Sequence, residues 1–348
     1  MKIAIVNTMA PFVWGGAEEL AIHLALNLRR LGHDADLIRI PFAWEPYERI
    51  TTEMVRCKAI TLQRYDQVIS MKFPVYLMET ENHSTWLIHQ YRQAYDLWDS
   101  PYCNIPHTIE GEALRQLIVE HDSHALSNRQ RLFTISDEIS SRLRINNGIE
   151  ASPLRAPLND PELFTGGPCG NYILAPGRIN ATKRQSLLVE AMSYMPADAR
   201  LIVAGPPESE QDATNLRRLV EERDLHAQVK LDLRFLERGE LASYVNGSRA
   251  VAYLPFQEDS YGYCTMEAFE AAKPVITVKD AVELLDIVHD GQTGRVCNAA
   301  PEELAEAMSS YLCNSRVASD HGRRAREVWR ATGISWPDNI ARLLGSVA

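Results

Sequence analysis

The chain has 348 residues, which suggests two domains, and its composition of 45% hydrophobic and 24% charged residues is that of a globular protein. Its formal net charge is −10, and both halves are acidic: residues 1–160 carry 16 Lys+Arg against 20 Asp+Glu, and residues 161–348 carry 20 against 26. This balance argues against nucleic acid and anionic lipid as partners, because both bind basic surfaces.

The first half opens with a strand-helix-strand pattern. The apolar run Lys2–Asn7 predicts a strand, leucines recur at nearly helical spacing over residues 20–31, and Ala35–Ile40 predicts the next strand. The pair Gly15-Gly16 forms a turn between the first strand and the helix. Further strands are predicted at Gln67–Met71, Thr85–His89 and Arg131–Ile135.

A segment rich in proline and glycine, Pro153–Gly170, predicts the boundary between two domains. Strands are predicted after it at Tyr172–Ala175, Arg200–Ala204, Val229–Leu233, Ala250–Leu254 and Val275–Val278. Helices are predicted at Arg184–Tyr194, Asp212–Arg223, Gly239–Asn246, Thr265–Ala272, Ala281–His289 and Pro301–Cys313. This alternation is typical of an α/β fold with a parallel, doubly wound sheet. Two such Rossmann-like domains in tandem bind ligands in the cleft between them, at the carboxyl ends of their strands.

Location and redox state follow from what the sequence lacks. The N-terminus reads as a strand and does not have the layout of a signal peptide, and no apolar run approaches the roughly 18 residues of a membrane span. We therefore expect a cytoplasmic protein without a transmembrane segment. Six cysteines occur, none in a Cys-x-x-Cys pair and most in apolar segments, so we expect reduced and mostly buried thiols.

A loop with two cations, Gly177–Lys183, follows the first predicted strand of the second half and precedes a helix. Free N–H groups at a helix N-terminus favour an anion. Arg178 can form a forked pair of hydrogen bonds and Lys183 acts as a point charge, so a phosphate is the natural ligand. The alternative is that both are solvated surface cations.

A second loop, Pro255–Ala268, carries two carboxylates eight positions apart, Asp259 and Glu267. A carboxylate accepts hydrogen bonds from two adjacent hydroxyl groups and therefore suits a sugar or a ribose. Gly262 permits close approach of a ligand to the backbone. The alternative is that Asp259 or Ser260 caps the following helix and that Glu267 makes a surface ion pair.

The first half offers weaker signals. Gly15-Gly16 would let a ligand reach the backbone, although most such pairs are only turns. His89 ends a predicted strand, where a residue of the cleft belongs, although a single histidine is more often structural. His121 and His124 lie three apart on a predicted helix, but no third ligand is evident, so we predict no metal site.

Taken together these segments resemble glycosyltransferase family 4, a group of retaining enzymes with the GT-B fold, in which two Rossmann-like domains face each other across a cleft. The resemblance runs nearly from end to end, and both order and spacing match. It rests on Gly15-Gly16, Leu87-Ile88-His89-Gln90, Gly177-Arg178 with Lys183, Val203-Ala204-Gly205-Pro206, Gly262 through Glu267-Ala268, Lys273-Pro274-Val275 and Asp290-Gly291-Gln292-Thr293-Gly294.

The resemblance implies a division of labour between the domains. Residues 1–160 would bind the acceptor, with a C-terminal helix at about 332–348 packing back on them, and residues 161–331 would bind a nucleotide-sugar donor. The implied reaction moves a hexose-type sugar from a nucleoside diphosphate, most often UDP or GDP, to an acceptor hydroxyl with retention. The acceptor is not identified. The alternatives are a GT-B-like nucleotide-sugar epimerase and a non-catalytic partner subunit that binds a nucleotide sugar.

The resemblance also implies a role for each matching residue. Arg178 and Lys183 would hold the donor diphosphate, so that no metal or other cofactor is needed. Glu267 would bind the ribose, Asp259 the transferred sugar, and His89 would lie in the catalytic centre. The backbone N–H groups would add to the anion site at Gly16, after Gly15, and at Tyr263 and Cys264. The segment that ends at Leu236 would flank the base.

Two departures from the family pattern stand out. The first carboxylate of the pair is Asp259 where glutamate is usual, and Glu258 beside it is a second candidate for the sugar contact. We favour Asp259 because the loop then keeps its usual length. The segment Asp280–Glu283 replaces the glycine pair that relatives often carry, which puts donor contacts through that backbone in doubt.

Overall fold

The computed structural model describes residues 1–9, 14–257 and 260–345. The chain divides into two compact units. The first unit comprises Met1–Pro157 together with Ile334–Ala348, and the second comprises Leu158–Gly333. Each unit is built on one parallel β-sheet of six strands.

The sheet of the first unit has the strand order β2-β1-β3-β4-β5-β6. Its strands are β1 (Lys2–Met9), β2 (Asp34–Pro41), β3 (Gln67–Lys72), β4 (His83–His89), β5 (Arg131–Thr134) and β6 (Ser152–Pro153). Its helices are α1 (Gly16–Arg30), α2 (Ile50–Lys58), α3 (Ile109–Ser127), α4 (Asp137–Asn147) and α11 (Trp336–Leu344).

Strand β1 shows why this sheet is covered on both faces. Ile3 and Ile5 pack into one hydrophobic cluster together with leucines of α1. Ala4 and Val6, which point the other way, join a second cluster with Val68. A strand of a parallel sheet with helices on both faces therefore reads as a continuous apolar run, as this one does.

The C-terminal helix α11 belongs to the first unit. Its Leu343 carbonyl oxygen accepts hydrogen bonds from Gln67 Nε2 at 3.1 Å and from Ser84 Oγ at 3.0 Å. The ring of Trp336 lies edge-on to that of the fully buried Trp86, with centroids 6.1 Å apart. The helix thus satisfies buried polar groups of β3 and β4 and covers part of the core.

The sheet of the second unit has the strand order β12-β11-β10-β7-β8-β9. Its strands are β7 (Ile173–Pro176), β8 (Leu201–Ala204), β9 (Val229–Asp232), β10 (Ala250–Ala252), β11 (Val275–Val278) and β12 (Gly294–Cys297). Its helices are α5 (Gln185–Ala191), α6 (Glu210–Glu222), α7 (Arg238–Gly247), α8 (Tyr263–Glu270), α9 (Pro301–Leu312) and α10 (Ser315–Ala331). Helix α5 packs against α6 and α9, and α8 packs against α7 and α10, so the sheet is doubly wound.

Two expectations are wrong. Residues 281–289 do not form an α-helix but a short 3-10 helix, Val282–Asp286. The cause is that Thr293 Oγ1 accepts from His289 N at 2.7 Å and donates to Ile287 O at 2.8 Å, which ties the segment to the turn before β12. The cysteines are free, but only two of the six are buried; the others are half-buried or exposed because they lie in loops and at helix ends.

No helix among the described residues is both long and apolar enough to cross a membrane.

Candidate functional site

The second sheet has a topological switch point between its neighbouring strands β7 and β10. The chain leaves β7 toward β8 on one side and leaves β10 toward β11 on the other. Such a reversal opens a crevice at the carboxyl ends of the two strands, where ligands bind in open α/β sheets. The loops that begin after Pro176 and Ala252 are the two segments that the sequence singled out.

These two loops contact each other at several points. Phe256 N donates to Thr182 O at 2.8 Å, and Lys183 Nζ donates to Tyr253 Oη at 2.8 Å. Cys264 Sγ lies 3.6 Å from Pro176 O. The structure therefore brings together the predicted cation loop and the start of α8.

Arg178 offers a cation to this crevice. Its side chain is 31% exposed, and its Nη1 lies 3.8 Å from Glu208 Oε1, which is too far for a hydrogen bond. Its buried Nε has no hydrogen-bond partner among the residues that the structure describes. The buried Gln185 donates to the Arg178 carbonyl oxygen at 3.0 Å and fixes the backbone. The guanidinium thus retains donors that an anion can use.

Lys183 is held by Tyr253, a residue that the sequence did not single out. The Lys183 Nζ lies 5.0 Å from the centroid of the Tyr253 ring as well as close to its hydroxyl group. The ring in turn packs on Gly262, where a Cβ would lie 2.6 Å from Tyr253 Cε1. Gly262 also has φ +68°, a conformation that favours glycine. An aromatic residue directly after β10 was the available signal for Tyr253.

Helix α8 begins beside these cations. Its N-cap is Gly262, which has no side chain with which to cap the first turn, and Tyr263 and Cys264 are its first residues. By contrast, serine, threonine or asparagine side chains cap α3, α4, α6, α10 and α11. The positive end of the helix dipole at Tyr263 favours an anion. Glu258 and Asp259, the candidates for the sugar contact, lie outside the described residues.

Glu267 lies one turn further into α8 and is buried, with a side chain only 2% exposed. Its Oε1 accepts a short hydrogen bond from Arg238 Nη1, at the start of α7. Leu236, two residues before α7, is also buried, while Phe235 beside it is 52% exposed. The alternative of a surface ion pair is wrong for Glu267, because its carboxylate is inside the protein. Arg238 was missed, since nothing in its spacing relates it to Glu267.

The structure explains the departure at Asp280. The Arg184 guanidinium forms a fork with the Asp280 carboxylate, at 2.6 and 2.8 Å. The same guanidinium donates to Leu254 O at 2.8 Å and to Pro255 O at 2.9 Å. Asp280 therefore braces the loop after β10 through Arg184.

The first unit has its own switch point, between β1 and β3. Gly15 is the N-cap of α1, which begins at Gly16. One turn later the buried Glu18 carboxylate contacts Lys72 Nζ at 2.9 Å, at the end of β3. This pair had not been predicted.

His89 ends β4 as predicted and lies opposite Lys72 in the strand register. Its Nδ1 is 2.7 Å from the Gln90 carbonyl oxygen. Behind it, Gln90 Nε2 and Tyr95 Oη donate to the Asp122 carboxyl group at 3.1 and 2.8 Å. Complete burial raises the pKa of Asp122 to about 7.

Residues 169–328 match the family described as "Glycosyl transferases group 1". Over this stretch the chain is similar to glycosyl transferases of group 1. No curated protein sequence matches the chain.

Solved structures extend the likeness to both units. HepE of Anabaena, solved with UDP and glucose, is 14% identical with a TM-score of 0.70 over 99% of each chain. Sucrose-phosphate synthase from Thermosynechococcus elongatus is 18% identical with a TM-score of 0.76 over 98% of this chain and 97% of that one. WaaG, described as a glycosyltransferase involved in lipopolysaccharide biosynthesis, is 14% identical with a TM-score of 0.71 over 99% and 100%. At these identities the likeness establishes the fold, which is GT-B.

In the second unit, the loop that carries Arg178 and Lys183 lies beside the start of α8, the helix that carries Glu267. Arg178 and Lys183 occupy the loop after β7, and α8 contributes its first turn and Glu267. The first unit separately places Gly15-Gly16 and His89 at the carboxyl ends of its strands. The roles of these residues remain predictions.

Proposed function

We propose that this chain is a retaining glycosyltransferase that moves a hexose-type sugar from a nucleoside-diphosphate sugar to an acceptor hydroxyl without a metal. The observation that carries the proposal is the crevice of the second unit, where the loop with Arg178 and Lys183 lies beside the start of α8. A diphosphate matches this combination of two cations and a helix N-terminus.

Electrostatics supply the catalysis in this proposal. The leaving nucleoside diphosphate gains negative charge in the transition state, and the Arg178 backbone and the Lys183 ammonium are held in place before the reaction starts. Because these cations neutralise that charge, a divalent metal is not needed. The N–H groups of Tyr263 and Cys264 add to this anion site, and those of Gly16, after Gly15 in the first unit, are a further candidate for a donor contact.

The remaining roles concern the rest of the donor. Glu267 binds the ribose hydroxyls, and the segment ending at Leu236 flanks the base. His89 acts at the transferred sugar, and Asp259, or Glu258 beside it, holds that sugar. We infer UDP as the first nucleotide to try and GDP as the second, because HepE has been solved with UDP and with UDP-glucose.

Turnover in the presence of a chelator tests the proposal. The full chain is incubated with UDP-glucose and other UDP- and GDP-hexoses and with a panel of sugar and glycoside acceptors, and nucleotide release is measured. We expect nucleotide to be released together with an α-linked product, identified by NMR, from an α-linked donor. We expect the rate to be unchanged in an excess of EDTA.

Other outcomes point elsewhere. Full and reversible loss of activity in EDTA would contradict the metal-independent mechanism. A changed free sugar formed from donor alone would indicate an epimerase. Binding of donor without turnover, over the whole acceptor panel, would favour a non-catalytic partner subunit.

A further inference from the structure

Arg238 is the group that faces the buried carboxylate of Glu267. The Glu267 side chain is 2% exposed and that of Arg238 is 28% exposed. A carboxylate buried to this degree is costly to ionise unless an opposite charge and hydrogen bonds compensate. Arg238 supplies both, through the short contact between its Nη1 and Glu267 Oε1.

The guanidinium of Arg238 is itself held from several directions. Its Nη2 donates to Asn159 O at 2.9 Å, and its Nε lies 3.6 Å from Asp160 Oδ2. Its Cζ lies 4.9 Å from the centroid of the Phe164 ring. These contacts come from the first residues of the second unit, so the guanidinium is fixed before any ligand arrives.

We propose that Arg238 is a positioning residue for recognition of the donor ribose, acting through Glu267. The inference rests on the proposed function, in which Glu267 binds the ribose hydroxyls. Arginine carries only donors and does not deprotonate, so its contact orients the Glu267 carboxylate, which can accept from the two hydroxyls. A reoriented Glu267 loses part of that acceptor capacity.

Selectivity for ribose separates this role from a merely structural one. We expect the wild-type chain to bind UDP more tightly than 2′-deoxy-UDP, because the deoxy compound lacks one hydroxyl that Glu267 accepts. Arg238→Gln is expected to weaken UDP binding about 10- to 100-fold, the range of a lost hydrogen bond to a charged group. Binding of 2′-deoxy-UDP should weaken far less, so the preference for ribose shrinks.

A matched control exists on the same helix. Arg330 Nη2 contacts Glu270 Oε1 at 2.5 Å, and Glu270 follows Glu267 by three residues on α8. Arg330→Gln therefore breaks an arginine–glutamate pair of α8 outside the crevice, and we expect both affinities to stay within about twofold of wild type. Adding Glu267→Gln to Arg238→Gln should weaken UDP binding little further, because the two residues act as one unit.

Calorimetric titration of both nucleotides into the full-length variants decides the matter. A smaller UDP to 2′-deoxy-UDP affinity ratio in Arg238→Gln, with the wild-type ratio in Arg330→Gln, supports the inference. Equal losses for the two nucleotides would overturn it. If Arg238→Gln does not fold, Arg238→Lys is used instead. Lysine keeps the charge but cannot reach Glu267 and Asn159 with two arms of one planar group, so the UDP to 2′-deoxy-UDP affinity ratio must be reduced. A wild-type chain that binds neither UDP nor GDP would instead overturn the proposed function.

Discussion

At the scale of single residues, Asp122 makes the stability of the first unit depend on pH. Its pKa is about 7 in the folded chain against 3.8 for an ordinary aspartate. Between these values the folded chain holds a proton that the unfolded chain has released. This carboxyl group therefore lowers the free energy of unfolding as pH rises from about 4 to about 7, by at most about 1.4 kcal/mol per pH unit.

Asp122→Asn removes this dependence, because an amide can still accept from Tyr95 and Gln90 but does not titrate. We expect the variant to gain stability relative to wild type as pH rises from 5 to 8. Urea unfolding followed by tryptophan fluorescence measures the effect, since five of the six tryptophans lie in the first unit. The exposed Asp99 provides a control in Asp99→Asn. A difference between Asp122→Asn and wild type that does not change with pH would rule out the assigned titration.

Some residues of the candidate site could be predicted from the sequence and others could not. Arg178 and Lys183 could be found because they occupy a short loop directly after a strand and before a helix, where the fold presents them to a ligand. Arg238 could not, because it acts through a partner that is distant in sequence, and only the packed fold determines which partner that is.

At the scale of elements, the end of β8 supports the cation loop. Gly205 follows this strand with φ +148°, and a Cβ there would lie 2.2 Å from the Gly177 carbonyl oxygen. We expect Gly205→Ala to destabilise the second unit by about 2–4 kcal/mol, from backbone strain and overpacking. Displacement of Gly177 should also weaken UDP binding through Arg178.

The control for this change is Gly239→Ala on α7, where a Cβ would meet nothing within 4 Å. Alanine should stabilise that helix slightly, by about 0.5–1 kcal/mol. Thermal unfolding with and without UDP compares the two variants. If Gly205→Ala unfolds at the wild-type temperature, the close packing of the β7 and β8 loops does not hold the site.

Elements with strong hydrophobic periodicity were the predictable ones. In the first unit, the first strand and the leucine-rich α1 follow the expected order. The strands of the second unit do so too, because the burial pattern of all these elements is local. The prediction of a helix at residues 281–289 failed because side-chain contacts of Thr293, made across a turn, compete with the helix. Hydrophobic periodicity does not indicate such competition.

At the scale of the whole molecule, alternation of strands and helices was enough to predict two doubly wound sheets. It could not indicate the contacts that the C-terminal helix makes with the first unit. There the Leu343 carbonyl oxygen accepts from Gln67 and Ser84, which lie more than 250 residues earlier in the chain. Each unit thus completes its own core, and the crevice proposed for the donor lies in the second.

The most direct test of that crevice uses two lysines in matched surroundings. Lys183 lies 2.8 Å from Tyr253 Oη and 5.0 Å from its ring centroid, and Lys230, on β9, lies 2.8 Å from Tyr244 Oη and 5.1 Å from its ring centroid. Only Lys183 is at the switch point. Calorimetric titration of UDP should show affinity about tenfold or more weaker in Lys183→Ala and within about twofold of wild type in Lys230→Ala. Equal affinities in the two variants would contradict a nucleotide site at this crevice.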